Sequence, residues 1–276
     1  MKKKFMIFVS VIICFNLSAK DMFDYAEKLY AEQDYYRAIS AYKEYIFFNS
    51  ASKKTIKAEY KIAMSYLKAG KFEEAMLGFK KFEKWPDFEY VGLFGQALVY
   101  TGLADYTSSD MLLMDNLDKL KNMADKVFYI MAWNKIYTWK WADADKLLNE
   151  IKQGNLMESS KKIKEKLIES KNLDYRQPFL AGILSAVLPG MGQAYSGKWS
   201  VAFYNLLINA GLFYGAYDSF KNNNEAGKWL FGVPFVFFYL SNIYGGSSSA
   251  TLYNRTNCNR FINELEKEKA EIEIIQ

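Results

Sequence analysis

The sequence predicts an all-α chain in two parts: a solenoid of helical hairpins over residues 20–156 and, further on, a transmembrane helical hairpin within residues 177–254. Three observations carry that expectation. The chain repeats on itself with offsets of 37, 34 and 35 residues. The stretch 177–254 holds only five charged residues, Lys198, Asp218, Lys221, Glu225 and Lys228. Aromatic residues make up 17% of the chain and Gly and Pro only 16 and 4 positions, a composition of ordered helical structure and not of a disordered or collagenous chain.

The first segment, residues 1–19, reads as a secretory signal. Lys2, Lys3 and Lys4 precede the apolar run Phe5–Phe15, broken only by Ser10, and Asn16, Leu17, Ser18 and Ala19 suit a cleavage site. Leu17 leaves an uncleaved anchor as an alternative, a buried N-terminal helix or strand is another, and Ile13 before Cys14 argues against lipidation. Cleavage after Ala19 leaves Cys258 as the only cysteine and no intramolecular disulfide. The three lysines supply most of the formal net charge of +5, so the basic balance argues for export and not for nucleic acid. The chain has no histidine, which removes Ser-His and Cys-His nucleophile pairs and the usual zinc sites; no catalytic residues, cofactor or metal are expected.

Four columns share the repeat offsets: Ala26, Ala63, Ala97, Ala132; Tyr35, Phe72, Tyr106, Trp141; Ala38, Ala75, Ser109, Ala144; and Tyr42, Phe79, Leu113, Leu148. Small residues recur where paired helices must approach, with large ones beside them to fill the space. This spacing resembles the tetratricopeptide repeat, most closely in Asp34-Tyr35-Tyr36-Arg37-Ala38-Ile39 and Gly70-Lys71-Phe72-Glu73-Glu74-Ala75. Asn116 and Lys135 depart from it, at positions the family keeps apolar. A generic array of helical hairpins is the plainer alternative. Residues 157–176, charged and amphipathic, suit a capping helix or linker for the array.

The resemblance implies that the first helix of each repeat lines a concave groove. Its columns are then Phe23, Tyr60, Phe94, Tyr129; Glu27, Met64, Leu98, Trp133; and Lys20, Lys57, Val91, Lys126. The paired Asn positions with which the family's chaperone-binding members clamp a terminal carboxylate are missing. An aromatic groove edged with lysines suits a protein or peptide ligand with apolar anchors and some negative charge. That several of these aromatics simply pack between helices stays open as the alternative.

Past Asp174 three uncharged runs follow, 177–197, 199–217 and 229–254, of which the second and third are long enough to span a bilayer. Trp199, Tyr204, Tyr214, Tyr217, Trp229 and Tyr253 suit interfacial anchors. The first run, broken by Pro189-Gly190, suits a re-entrant segment or a third span. Pro189-Gly190-Met191-Gly192-Gln193-Ala194-Tyr195-Ser196-Gly197 resembles the loop of a small bacterial membrane domain of unknown biochemical role. Gly211 and Gly215 offer a small-residue helix-packing face, and Asn205 and Asn209 an amide pair to bond a neighbouring helix. A charged tail, 255–276, follows.

Together these features predict a non-catalytic, membrane-anchored adaptor of the bacterial envelope. Its repeats would face the periplasm from the inner membrane, with a protein or peptide in the groove, the lipid bilayer as a second partner, and membrane proteins or self-association as further ones. The alternatives are an envelope enzyme or small transporter using the Pro189–Tyr195 loop, or a self-associating structural membrane protein.

Overall fold

The computed structural model describes residues 19–49 and 54–275, with side chains from Met22 onward; the signal segment expected at 1–19 lies outside the described residues except for Ala19, and Lys20, expected as a groove residue, lies outside the described side chains. Thirteen α-helices among the described residues fall into two units. The first comprises residues 19–138, 146–156 and 271–275, the second residues 139–145 and 157–270.

In the first unit, α1 (Ala19–Ala31), α2 (Tyr35–Phe48), α3 (Lys54–Lys68), α4 (Phe72–Lys80), α5 (Glu89–Gly102), α6 (Tyr106–Asp115) and α7 (Ala124–Tyr137) each pack on the next. α8 (Trp141–Asn149) and α9 (Gly154–Leu167) keep the helical pattern, and the chain passes between the units within each. The repeat columns explain the packing. Ala26, Ala63, Ala97 and Ala132 expose no surface, nor do Ala38, Ala75, Ser109 and Ala144. Tyr42, Phe79 and Leu113 are equally enclosed, and Leu148 nearly so. A methyl side chain at each crossing lets two backbones approach, and the large residue one turn on fills the flank.

The turns repeat too. Gln33, Gly70, Ala104 and Trp139 are left-handed at φ 62°, 72°, 60° and 61°, spaced by the same 37, 34 and 35 residues. After three of them the next amide reaches back five residues, Asp34 N to Leu29 O at 2.9 Å, Lys71 N to Tyr66 O at 2.8 Å and Asp105 N to Tyr100 O at 2.9 Å. This closes the preceding helix on a left-handed residue. Asp34 and Asp105 then start the next helix, their carboxylates accepting from Arg37 N and Ser108 N. The Ser108 contacts hold the Asp105 carboxyl below its usual range.

The departures from the repeat pattern have polar partners. Lys135 donates to Asp110 Oδ2 at 2.6 Å. Asn134, wholly buried, donates to Ser109 Oγ at 3.0 Å and Asp110 Oδ1 at 2.8 Å, and accepts from Thr101 Oγ1 at 2.9 Å. Ser109 stands where the other repeats have alanine because its hydroxyl joins this network. Asn116 donates to Leu112 O, one turn back on its own helix.

In the second unit, α10 (Pro178–Val187) and α12 (Trp199–Lys221) pack on α13 (Glu225–Glu266), and the short α11 (Met191–Tyr195) sits against all three. α13 has 42 residues and so is about 63 Å long. The Pro189–Gly197 motif turns the chain between α10 and α12. Gly190 is left-handed at φ 92° and donates its amide to Asn242 Oδ1 at 2.8 Å. Ser185 Oγ accepts from Gly192 N and donates to Gln193 Oε1, both at 3.0 Å. Gln193 Nε2 donates to Asn242 O at 3.1 Å, and Asn242 Nδ2 to Ser185 O at 2.9 Å. A Cβ on Gly192 would lie 2.0 Å from the Ala181 carbonyl oxygen, so α11 can approach α10 this closely only through glycine. Near its far end α13 carries Phe261, edge-on to Trp141 at 5.4 Å, and Lys166 pairs with Glu268 at 2.7 Å just beyond it.

The expected transmembrane hairpin is corrected here: among the described residues no helix is long and apolar enough to cross a membrane. α12 and α13 have the length but not the apolarity. Asn205, Asn209, Asp218 and Ser219 interrupt α12; Asn242, Ser247, Ser248, Ser249 and Thr251 interrupt α13. Trp199, Tyr204, Tyr214 and Tyr217 of α12 and Trp229, Tyr239, Tyr244 and Tyr253 of α13 favour a polar boundary over hydrocarbon. Large side chains such as Trp199, Phe203, Tyr214, Trp229 and Tyr244 are exposed in the chain by itself, without making either helix a span. The re-entrant or third span at 177–197 is a ten-residue helix, the motif turn and a five-residue helix. The bilayer as partner, the inner-membrane placement with periplasmic repeats and the membrane anchoring fall with the spans.

Two substitutions test this packing. Asn134→Leu strands Asp110, Ser109 and Thr101 of their buried partner and should cost about 2–3 kcal/mol, read as a lower urea midpoint; an unchanged midpoint would show that the network contributes nothing. Gly192→Ala should destabilise the second unit by about 1–3 kcal/mol. Gly211→Ala, where a Cβ meets nothing within 4 Å, should leave the melting temperature unchanged or slightly raised. Equal melting of the two variants would contradict the close approach of α10 and α11.

Candidate functional site

A segment of the chain itself without helix or strand, Glu271–Ile275, belongs to the first unit and lies against its odd-numbered helices. Glu271 and Glu273 are exposed, Ile272 is half-buried, and Ile274 is 5% exposed within the same core cluster as Tyr60, Phe94, Val127 and Met131.

The polar contacts converge on one peptide bond, between Glu273 and Ile274. Its N–H donates to the Tyr60 hydroxyl of α3 at 3.3 Å, and its carbonyl oxygen accepts from Lys126 Nζ of α7 at 2.6 Å. The two groups of a trans peptide point in opposite directions, and here each has a partner on its own side. This clamp reads backbone and is indifferent to side-chain identity. Burial pushes the Tyr60 hydroxyl up to about 12, with Glu273 and Glu271 adding to the rise and the Ile274 amide opposing it, so the phenol stays neutral. Burial draws the Lys126 ammonium below its usual range, and Glu273 opposes that shift.

Charge adds a second layer. Lys61 lies 4.0 Å from Glu273 and 3.8 Å from Glu27, with its ammonium 4.3 Å above the Tyr30 ring. Lys68 lies 3.8 Å from Glu271. The pairs with Glu271 and Glu273 involve exposed glutamates and are worth about 0–1 kcal/mol each. Burying a side chain the size of Ile274 contributes roughly 1.5–3 kcal/mol, so the aliphatic anchor dominates and the lysines set preference. Space remains on both flanks of the segment. A cavity of about 370 Å³ is lined by Glu27, Tyr30, Lys61, Met64 and Lys68, and one of about 590 Å³ by Phe88, Tyr90, Lys119 and Lys126.

The groove residues expected from sequence divide accordingly. Tyr60 and Lys126 touch the segment through hydrogen bonds, and Met64 borders the flanking cavity. Phe94 lies wholly buried in the core cluster that receives Ile274. Phe23 packs edge-on to Tyr42 and Tyr45, and Tyr129 to Trp133, all of them buried between helices. Lys57 is half-buried. Lys61 and Lys68, which reach Glu273 and Glu271, are in none of the columns.

In the second unit the motif residues serve the fold. The amide of Gln193 and the backbone N–H groups of Gly190 and Gly192 are bonded to Ser185 and Asn242. Tyr195 accepts from Gln177 N at 3.3 Å and stacks under Arg176, whose guanidinium also lies over Tyr253. Pro189 lines a shallow cavity beside Trp199, and Gly197 is left-handed at φ 78°. Asn205 and Asn209 donate to Val201 O and Asn205 O on their own helix, not to a neighbour. Gly215 receives the Phe231 ring of α13, whereas Gly211 faces open space. Among the described residues no cluster of His, Cys, Asp or Glu suits a metal ion, and Cys258 is buried and unpaired to another cysteine.

No protein-family model matches the chain, and neither a curated protein nor a solved structure is significantly similar to it. The two family resemblances suggested by the repeat columns and the Pro189–Gly197 motif are corrected on that ground. What stands is the packing: an all-α chain with tetratricopeptide-like helical hairpins and no membrane-spanning helix among the described residues.

Proposed function

We propose that the protein is a non-catalytic interaction module that binds an extended peptide segment of another protein along the inner face of its helical hairpins. The observation that carries this reading is the clamp on a single peptide bond by Tyr60 and Lys126. Main-chain recognition of this kind gives affinity for extended peptides in general, with pockets for alternate side chains supplying selectivity. The apolar site beneath Ile274 is such a pocket, and the lysines beside it favour acidic neighbours. The absence of histidine from the sequence further supports a binding role over nucleophilic or zinc chemistry.

Cross-linking followed by mass spectrometry in the native cells tests the proposal. The intact chain should give a dominant heterologous partner cross-linked near α3 and α7. The double variant Tyr60→Phe, Lys126→Met removes the clamp while keeping side-chain bulk, and should lower recovery about tenfold or more, as expected for losing two hydrogen bonds, one of them charged. Equal recovery of the same partner with the double variant would overturn the groove as the binding surface.

A further inference from the structure

We infer that the groove's ligand is an extended segment of alternating acidic and β-branched aliphatic residues, and that Glu271–Ile275 holds this place in cis until such a segment displaces it. The inference rests on the peptide-binding reading above and adds the ligand's chemistry and its control.

The occupying segment reads Glu-Ile-Glu-Ile-Ile, and each feature of it meets a complementary feature of the groove. The isoleucine at 274 enters the core cluster, and those at 272 and 275 pack against its edge. The glutamates at 271 and 273 sit on the side of Lys68 and Lys61. The backbone between 273 and 274 is clamped on both sides. The segment also differs from an ordinary core element. It has no helical or strand partner of its own, four of its five residues keep exposed or half-exposed surface, and cavities flank it on either side. A ligand longer than five residues would find room in both directions. Tethering gives the cis segment a high effective concentration, so a competing peptide binds the intact chain with an affinity reduced by the fraction of time the groove is open.

Fluorescence anisotropy with a labelled hexapeptide of the sequence of residues 271–276 provides the test, using the intact chain, a chain ending at Ala270, and the intact chain carrying Ile274→Asp. The shortened chain and the Ile274→Asp variant should both bind the peptide about tenfold or more tightly than the intact chain. A peptide with aspartate in place of its second isoleucine should bind none of them. Equal binding to intact and shortened chains, or no binding to the shortened chain, would overturn the inference. Circular dichroism separates the remaining outcome: loss of helix in both altered chains would make the segment an obligatory part of the core, which also overturns it. Capture of the same partner by intact and shortened chains, with sensitivity to the Tyr60 and Lys126 changes, would leave the binding reading standing and remove only the cis control.

Discussion

The close approach of helices through side chains no larger than a methyl or hydroxymethyl group is the constraint on which the first unit depends. Ala26, Ala63, Ala97 and Ala132 recur at one crossing, and Ala38, Ala75 and Ser109 at the other, all without exposed surface. Larger residues there would push the hairpins apart, and the even-numbered helices would no longer hold the odd-numbered ones side by side. With that spacing fixed, residues far apart in sequence can face one short segment. Tyr60 and Lys126 are on helices separated by α4, α5 and α6, yet they grip the two sides of a single peptide bond.

The second unit follows a different rule. Its closest approaches are made by glycine, at Gly190, Gly192 and Gly246, and its junctions are made by polar groups, Ser185, Gln193 and Asn242. Each of these groups has its partner inside the unit, which makes the turn a rigid joint between α10, α11 and α13. The Pro189–Gly197 turn therefore does structural work. The same holds for Arg176: Asn254 accepts from its backbone N and donates to its O, and Tyr195 and Tyr253 cover its guanidinium.

Much of this is legible in the sequence, for identifiable reasons. The alanine columns are readable because a close crossing tolerates little else, and they lead to the hairpins and to Tyr60 and Lys126. The turn column is not readable, since Gln33, Ala104 and Trp139 take the left-handed conformation that only Gly70 advertises. Lys61 and Lys68 are not readable either, because their partners lie some two hundred residues away in a segment that resembles a charged tail. The transmembrane expectation errs by treating uncharged as apolar. Asn205, Asn209, Asn242 and the serines of α13 carry no charge, yet each brings groups that need hydrogen bonds. In these helices many bond a carbonyl of their own turn, as Asn205, Asn209 and Ser219 do. For Phe23 and Tyr129, which pack against other aromatic rings, the sequence leaves both readings open, since an aromatic column facing a groove and one packed between helices have the same spacing.

Amide hydrogen exchange at Ile274 in the intact chain tests the central claim most directly, because that single N–H is held by Tyr60 only while the segment occupies the groove. The account requires slow exchange at Ile274 that accelerates when saturating acidic–aliphatic peptide is added. Exchange at the rate of an unstructured peptide, with or without that ligand, would contradict it.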